Sequence, residues 1–283
     1  MRPYLTGLLL LCPAAGLAAD EKTFDADGVK LAYREEGVAT GTPVVLVHGY
    51  LADNRTQWDS PAAGGPKVVD ALAKTKKYRI ILLDSRGHGK SDKPVDRAKY
   101  GAEMAADVGR LMKHLGVDKA HVVGYSMGSW AAQKFAADHP DKVRSLTVGG
   151  AGRLDDGSEA GLKLLAATVK GYGGGVTGSE AMLKEVLQGR LDLPNRADVP
   201  ALVAAAGEVG GLRLTPAQAV SYPGPVLGLV GENDTLKPNV QALQKARVDA
   251  GRKMTVVIVP GGHLSAPATP EFSTGLVDFL GKN

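Results

Sequence analysis

The chain has 283 residues, of which 44% are hydrophobic and 23% are charged, and its formal net charge is +4. This composition is typical of a globular protein with one large core, and it argues against a disordered or fibrous chain. Because charges of both signs are mixed along the sequence and aromatic residues are sparse, nucleic acid is not an expected partner.

Residues 1–19 are predicted to be a cleaved secretory signal. Arg2 supplies the positive start, Leu5–Leu11 form a short apolar segment, and Gly16–Ala19 are small residues suited to cleavage. The alternative is a disordered or anchoring N-terminus. Cys12, the only cysteine, lies in this segment, so the mature protein is expected to have neither a disulfide nor a catalytic thiol. We expect a periplasmic or secreted protein. No other apolar run approaches about 18 residues, so no stable membrane insertion is expected.

The first half of the remaining chain alternates strand and helix patterns. Asp27-Gly28 separates two alternating runs and predicts a β-hairpin. Continuous apolar runs predict buried strands, and apolar residues three or four positions apart predict helices. The predicted strands cover 23–26, 29–34, 43–47, 79–83, the run ending at Val123, and 143–148; the predicted helices lie at 69–72, within 100–115 and at 127–139.

Residues 151–222 interrupt this rhythm and are predicted to form a lid-like helical insertion. Gly171–Gly178 is predicted to be a flexible break, and Thr215-Pro216 is typical of a helix cap followed by a first-turn proline. Four apolar residues of the insertion could line an acyl pocket, although packing onto the core is the favoured interpretation for each: Leu162, Leu165, Met182 and Val186.

Strands at 225–230 and 255–259 then resume, with helices at 239–250 and from Pro270. The sequence therefore predicts an α/β fold with a mostly parallel eight-stranded sheet and helices on both faces. The predicted core comprises residues 20–150 and 223–283.

A Gly-x-Ser-x-Gly turn follows the strand that ends at Val123. A serine in a sharp strand-to-helix turn presents its hydroxyl above the sheet edge, and Gly124 and Gly128 are needed because side chains there would collide with neighbouring elements. The turn also aims the Met127 N–H at an oxyanion beside Ser126. These residues predict a nucleophile elbow; the alternative is a glycine-rich turn with an incidental serine.

Three more polar residues follow other strands, where ligands bind in such sheets. Tyr50 comes after the strand at 43–47, and Asp234 and His263 come after the last two strands. Glu232 is the near rival of Asp234, and Asp155 or Asp156 is a more remote one.

The order Ser126, Asp234, His263, together with the elbow, resembles the α/β-hydrolase superfamily, close to its small serine esterases, over about residues 23–283. The resemblance implies an α/β-hydrolase fold with its lid at 151–222. It also implies that His263 acts as the base, that Asp234 orients it, and that the N–H groups of Tyr50 and Met127 bind the oxyanion.

The other five histidines have less specific contexts. His48 is expected to shape the oxyanion loop, His88 to be structural, and His114, His121 and His139 to pack or lie on the surface. Asp84-Ser85-Arg86 is interpreted as an ion pair that stabilises a turn. No metal-ligand spacing is visible, and the glycines before Lys90-Ser91 lack the spacing of a phosphate loop.

The leading hypothesis is an exported hydrolase of carboxylic esters, acting on small molecules without cofactor or metal. Carbon–carbon bond hydrolases, lactonases, aminopeptidases and perhydrolases remain open, because the resemblance implies the same triad in them. Serine as the nucleophile argues against the aspartate-dependent dehalogenases and epoxide hydrolases of this superfamily. A non-catalytic binding relative is the less favoured alternative. The sequence leaves the oligomeric state open.

Overall fold

An eight-stranded sheet forms the centre of the computed structural model, which describes residues 20–59 and 67–283. The predicted signal segment, residues 1–19, lies outside the described residues. The sequence predicted each of the eight strands, with ends that differ by a few residues. In chain order they are β1 (Lys22–Asp25), β2 (Lys30–Gly37), β3 (Thr42–Val47), β4 (Tyr78–Leu83), β5 (Ala120–Tyr125), β6 (Val143–Gly149), β7 (Val226–Gly231) and β8 (Thr255–Val259).

The strands lie in the order β1-β2-β4-β3-β5-β6-β7-β8. β2 pairs antiparallel with both β1 and β4, and the remaining pairs are parallel. The predicted hairpin joins β1 to β2, with φ of 56° at Asp27 and 82° at Gly28, the left-handed conformations that a tight hairpin turn requires. Because β3 and β5–β8 run parallel, their carboxyl ends meet at one edge of the sheet.

Helices cover both faces of the sheet, as the continuous apolar strands predict. On one face, Val45 and Ile81 belong to a core that includes α2 and α3. On the other face, Val44 and Leu46 belong to a core with α1 and α9. The helices of the sheet domain are α1 (Val68–Lys74), α2 (Ala102–His114), α3 (Met127–Asp138), α8 (Lys237–Asp249) and α9 (Pro270–Gly281). α8 begins two residues before its predicted start, because Pro238 suits the first turn of a helix.

Four helices, which we call the inserted helices, lie between β6 and β7. They are α4 (Asp156–Gly173), α5 (Ser179–Leu187), α6 (Val199–Gly207) and α7 (Pro216–Ala219). α4 continues through Gly171 to Gly173, so the break between α4 and α5 is shorter than the sequence suggested. Thr215 caps α7 with its side chain and Pro216 follows in the first turn, as its sequence predicted.

The ion pair expected within Asp84-Ser85-Arg86 is not formed. Arg86 instead reaches Asp107 of α2, with Nη2–Oδ1 and Nε–Oδ2 distances of 2.6 and 2.7 Å, and both side chains are buried. The Asp84 carboxylate accepts the backbone N–H groups of Asn54 and Lys90, each at 2.7 Å. The predicted pairing was wrong because a residue distant in sequence supplies the better bidentate partner.

Candidate active site

The turn between β5 and α3 holds Ser126 in a strained conformation, with φ of 53° and ψ of −120°. A β-carbon at Gly124 would lie 2.2 Å from the carbonyl oxygen of Gly128. A β-carbon at Gly128 would lie 2.3 Å from that of Val47. Both glycines are therefore required by close backbone approach, and the turn lifts Ser126 above the strand ends.

Ser129 reinforces this turn. Its hydroxyl lies 2.8 Å from the carbonyl oxygens of both Gly124 and Gly149, to which it donates a shared hydrogen bond. The N–H of Ser126 also donates to Gly149, at 2.8 Å. The first turn of α3 is thereby tied to the ends of β5 and β6, which fixes the position of Ser126.

The three side chains Ser126, His263 and Asp234 form a continuous hydrogen-bonded row. His263 Nε2 lies 2.8 Å from Ser126 Oγ, and His263 Nδ1 lies 2.9 Å from Asp234 Oδ2. The other oxygen of Asp234 accepts the N–H of Leu236 at 2.9 Å, and the side chain of Asp234 is fully buried. A carboxylate can only accept, so Nδ1 carries the proton and Nε2 is left to accept the Ser126 O–H.

The rival acids lie elsewhere. Glu232 is exposed although it is only two positions from Asp234. Asp155 is the N-cap of α4 and accepts the N–H of Ser158 at 2.8 Å. Asp156 is exposed and pairs with Arg213. The structure therefore brings Asp234, and none of these three, to the imidazole.

The two predicted oxyanion donors flank Ser126. Met127 is the first residue of α3, and a β-carbon at Gly49, which precedes Tyr50, would lie 3.1 Å from the β-carbon of Ser126. Within residues 20–59 and 67–283, no acceptor is recorded for the N–H of either Tyr50 or Met127. A free N–H beside a nucleophile is what binding of an oxyanion requires.

His48 and His88 lie beneath this loop. His48 Nδ1 donates to the carbonyl of Gly49 at 2.7 Å, and its Nε2 accepts the N–H of Ser85 at 3.0 Å, so the ring is neutral. His88 packs edge-on against the ring of Tyr50. Complete burial of its ring lowers the pKa of His88 to about 3. In the part of the chain that the structure describes, neither ring is hydrogen-bonded to Ser126, whereas the ring of His263 is.

The row opens onto a cavity of about 730 Å³ between the strand ends and the inserted helices. Leu162 and Leu165 line this cavity and also pack against the core, so each residue has both of the positions that the sequence left open. Val186 lines it too, whereas Met182 is 56% exposed. Its described lining mixes apolar side chains with amides and hydroxyls, among them Trp58, Trp130, Leu236, Gln57, Asn239 and Ser158.

The sequence did not single out Tyr125 or Arg190, which also line this cavity. Arg190 is half-buried and is the only lysine or arginine among the described lining residues. No hydrogen bond or ion pair is recorded for its guanidinium within the described residues, and the segments 1–19 and 60–66 contain no Asp or Glu. The cavity thus contains a cation for which residues 20–59 and 67–283 show no neutralising partner.

Among residues 20–59 and 67–283, no three histidine, cysteine or acidic side chains are grouped so that they could bind a metal ion. No helix in the same part of the chain has both the length and the apolar character needed to cross a bilayer.

A family model described as alpha/beta hydrolase fold matches residues 42–167. A fluoroacetate dehalogenase from Burkholderia sp is 36% identical over 113 residues, which make up 38% of this chain and 34% of that protein. A 2-hydroxy-6-oxononadienedioate/2-hydroxy-6-oxononatrienedioate hydrolase from Burkholderia vietnamiensis is 37% identical over 130 residues, 44% of this chain and 42% of that protein. The chain thus matches between a third and a half of these relatives' length.

Solved structures match almost the whole chain. A hydrolase from Pseudomonas aeruginosa PA01 has a TM-score of 0.70 at 24% identity, covering 93% of this chain and 99% of that one. The enol-lactonase from Burkholderia xenovorans LB400 has a TM-score of 0.68 at 22% identity, covering 92% of this chain and 100% of that one. At such identities the likeness establishes the fold alone.

Proposed function

We propose that this chain, of which residues 42–167 match a family model described as alpha/beta hydrolase fold, is a serine hydrolase that cleaves carboxylic esters through an acyl-enzyme on Ser126. The observation that carries this proposal is the hydrogen-bonded row from Ser126 through His263 to Asp234. A serine hydroxyl is a weak nucleophile at neutral pH, and this row supplies the base that it needs.

The geometry supports a two-stage reaction. In the first stage His263 Nε2 takes the proton of Ser126 as Oγ attacks the ester carbonyl, and the same proton then passes to the leaving alcohol. Asp234 holds the tautomer of His263 and stabilises the imidazolium. In the second stage a water molecule, activated by His263, hydrolyses the acyl-enzyme and releases the acid.

Charge develops on the carbonyl oxygen in both stages. The N–H groups of Tyr50 and Met127, which have no acceptor in the described part of the chain, are the donors that would bind it. Losing one such donor typically costs about 3 kcal/mol of transition-state stabilisation. Because these donors belong to the backbone, a side-chain change at either residue is expected to lower the rate far less than loss of the Ser126 hydroxyl.

The cavity supports a substrate of small or medium size. Its volume of about 730 Å³ lies within the range of small-molecule sites, and Leu162 and Leu165 supply apolar surface for an acyl chain. We further propose that the protein is exported, because residues 1–19 have the charge, length and small-residue pattern of a cleaved signal.

Hydrolysis of a carbon–carbon bond is the second candidate, and Arg190 favours it. The relative from Burkholderia vietnamiensis is named for a dioate, a substrate with two carboxylates. A guanidinium in the cavity that has no partner among the described side chains would suit a substrate that carries a carboxylate away from the reacting carbonyl. The dehalogenase relative gives less guidance, because the aspartate expected as the nucleophile of such enzymes is replaced here by Ser126.

Hydrolysis of p-nitrophenyl acetate by wild type and by Ser126→Ala and His263→Ala tests the main proposal. Each variant should lose activity by at least about 10⁴-fold. A fluorophosphonate probe should label wild type and not Ser126→Ala. Ser221→Ala is the matched control, because Ser221 is exposed and its hydroxyl bonds within its own turn.

If the probe does not label wild type, or if Ser126→Ala keeps full activity, the serine mechanism is ruled out. Assays with lactones, amides and a vinylogous 1,5-diketone acid then distinguish esters from the other bond types.

N-terminal sequencing of the protein made in a bacterial host tests export separately: a chain that still begins at residue 1 contradicts it.

A further inference from the structure

Tyr125 connects the nucleophile to the base through its side chain. It is the last residue of β5, directly before Ser126, and it is 2% exposed. Its hydroxyl donates to the backbone carbonyl oxygen of His263 at 2.5 Å. Burial, and to a lesser extent the charge of Asp234, raise the pKa of Tyr125 well above its ordinary value, so the phenol keeps its proton and remains a donor.

The phenol ring is closely confined. A β-carbon at Gly149 would lie 2.6 Å from Cδ2 of Tyr125, and one at Gly150 would lie 2.7 Å from Cζ. Phe272 of α9 packs against the ring at an angle, with 5.8 Å between centroids. Since glycines on one side and an aromatic ring on the other leave little space, the hydroxyl has a fixed place relative to β5.

The loop that carries His263 has other anchors, but they fix its neighbours. The carbonyl of Gly261 accepts the N–H of Asn233 at 3.0 Å, and the N–H of Gly262 donates to the Ser265 hydroxyl at 2.8 Å. Of the described groups, only the Tyr125 hydroxyl is recorded as donating to the carbonyl of His263 itself.

We propose that Tyr125 is a positioning residue that sets the separation between Ser126 Oγ and His263 Nε2. The proposal rests on the proposed function. Tyr125 and Ser126 are adjacent in a rigid strand end, so a bond from the Tyr125 ring to the backbone of His263 fixes the base relative to the nucleophile. A shift of about 1 Å between such groups can lower a rate by about 100-fold.

Tyr125→Phe removes the hydroxyl and keeps the ring. The kcat for p-nitrophenyl acetate is expected to fall about 10- to 100-fold, with KM changed by less than about twofold because the cavity wall is retained. Tyr100→Phe is the matched control: its hydroxyl donates to the carbonyl of Pro94 at 2.6 Å and its side chain is buried, outside the described cavity lining. Its kcat should stay within about twofold of wild type.

Two further measurements separate positioning from simple stability. 4-Aminophenylalanine at position 125 keeps a donor in place and should recover most of kcat. The proton NMR signal of the His263–Asp234 hydrogen bond, far downfield, should be sharp in wild type and Tyr100→Phe, and broadened in Tyr125→Phe. Should Tyr125→Phe lose its cooperative melting, 4-fluorophenylalanine, which fills the space without donating, replaces it in every comparison.

The positioning role is overturned if the donor-free variant has the kcat of wild type and its downfield proton signal is equally sharp. The NMR measurement needs no substrate. If wild type hydrolyses no ester, the proposed function fails, whereas the role of Tyr125 is still decided by the downfield proton alone.

Discussion

Ser126 Oγ and His263 Nε2 lie 2.8 Å apart although 137 positions separate these residues in the chain. The contact forms because β5 and β8 run parallel and both end at the same edge of the sheet. It also requires the strained backbone of Ser126, whose φ of 53° turns the hydroxyl away from the strand and toward the imidazole.

Asp234→Asn should lower kcat for p-nitrophenyl acetate by about 10⁴-fold, because the amide can donate to Nδ1 and so favour the wrong tautomer of His263. Glu232→Gln and Asp156→Asn change exposed carboxylates near the same strand ends and should retain wild-type kcat. Steady-state kinetics on the three variants decide the assignment. If Asp234→Asn stays active and one of the controls loses most of its kcat, the carboxylate changed in that control is the partner of His263 instead.

Gly128→Ala should destabilise the fold by about 3 kcal/mol or more, because the new methyl group would meet the carbonyl oxygen of Val47 at 2.3 Å. Neither backbone segment can move without shifting Ser126. Thermal melting followed by circular dichroism measures the effect. Gly161→Ala is the control: its position in α4 has open space, so it should be neutral or slightly stabilising. Equal melting temperatures for the two variants would contradict the packing argument.

Arg190→Gln should affect the hydrolysis of two esters differently when these differ only at the far end of the acyl chain. For a p-nitrophenyl ester whose acyl chain ends in a carboxylate, kcat/KM should fall about 10- to 100-fold, the value of a hydrogen bond to a charged group. For the ester of equal length that ends in a methyl group, it should hardly change. Arg252→Gln, an exposed arginine outside the described lining, is the control. Parallel losses for both esters would show that Arg190 does not select an anion.

His121 should make the fold sensitive to acid. Burial, with a smaller effect from Arg144, lowers the pKa of His121 from 6.5 to about 4. Between these values the unfolded chain binds a proton that the folded protein does not. The free energy of unfolding is therefore unaffected by protonation of His121 above pH 6.5 and decreases as the pH falls toward 4. At pH 5 the decrease is about 2 kcal/mol.

His121→Asn tests this sensitivity. The amide can replace Nδ1 as the partner of the Ser145 hydroxyl, which lies 2.7 Å from the ring nitrogen. Urea unfolding at pH 7 and pH 5 should show that the variant loses about 2 kcal/mol less than wild type on acidification. An identical loss in both proteins would place the acid sensitivity elsewhere.

The parts of the site that sequence could predict are those with a local signal. Ser126, Asp234 and His263 each follow an apolar strand, and parallel strand ends must meet at one edge, so their convergence follows from the pattern. The partner of Arg86 could not be predicted in this way, because Asp107 is one of two acids on the following helix and only the packing of α2 selects it.

The same limit applies to Arg190 and Tyr125. Arg190 follows α5 with no motif around it, and its place in the cavity depends on how the inserted helices pack over the sheet. Tyr125 stands at a position of the Gly-x-Ser-x-Gly turn that the pattern leaves unspecified, so its bond to His263 emerges only in three dimensions.

Tyr50 has two connections whose combination constrains engineering of this scaffold. Its backbone N–H lies in the loop beside Ser126, while its hydroxyl donates to the carbonyl of Leu202 in α6 at 3.1 Å. A chimera that exchanges the segment between β6 and β7 for one from a relative would therefore remove an acceptor beneath the loop as well as altering the pocket walls. Grafts that keep the backbone of α6 at residue 202 would alter selectivity without disturbing turnover.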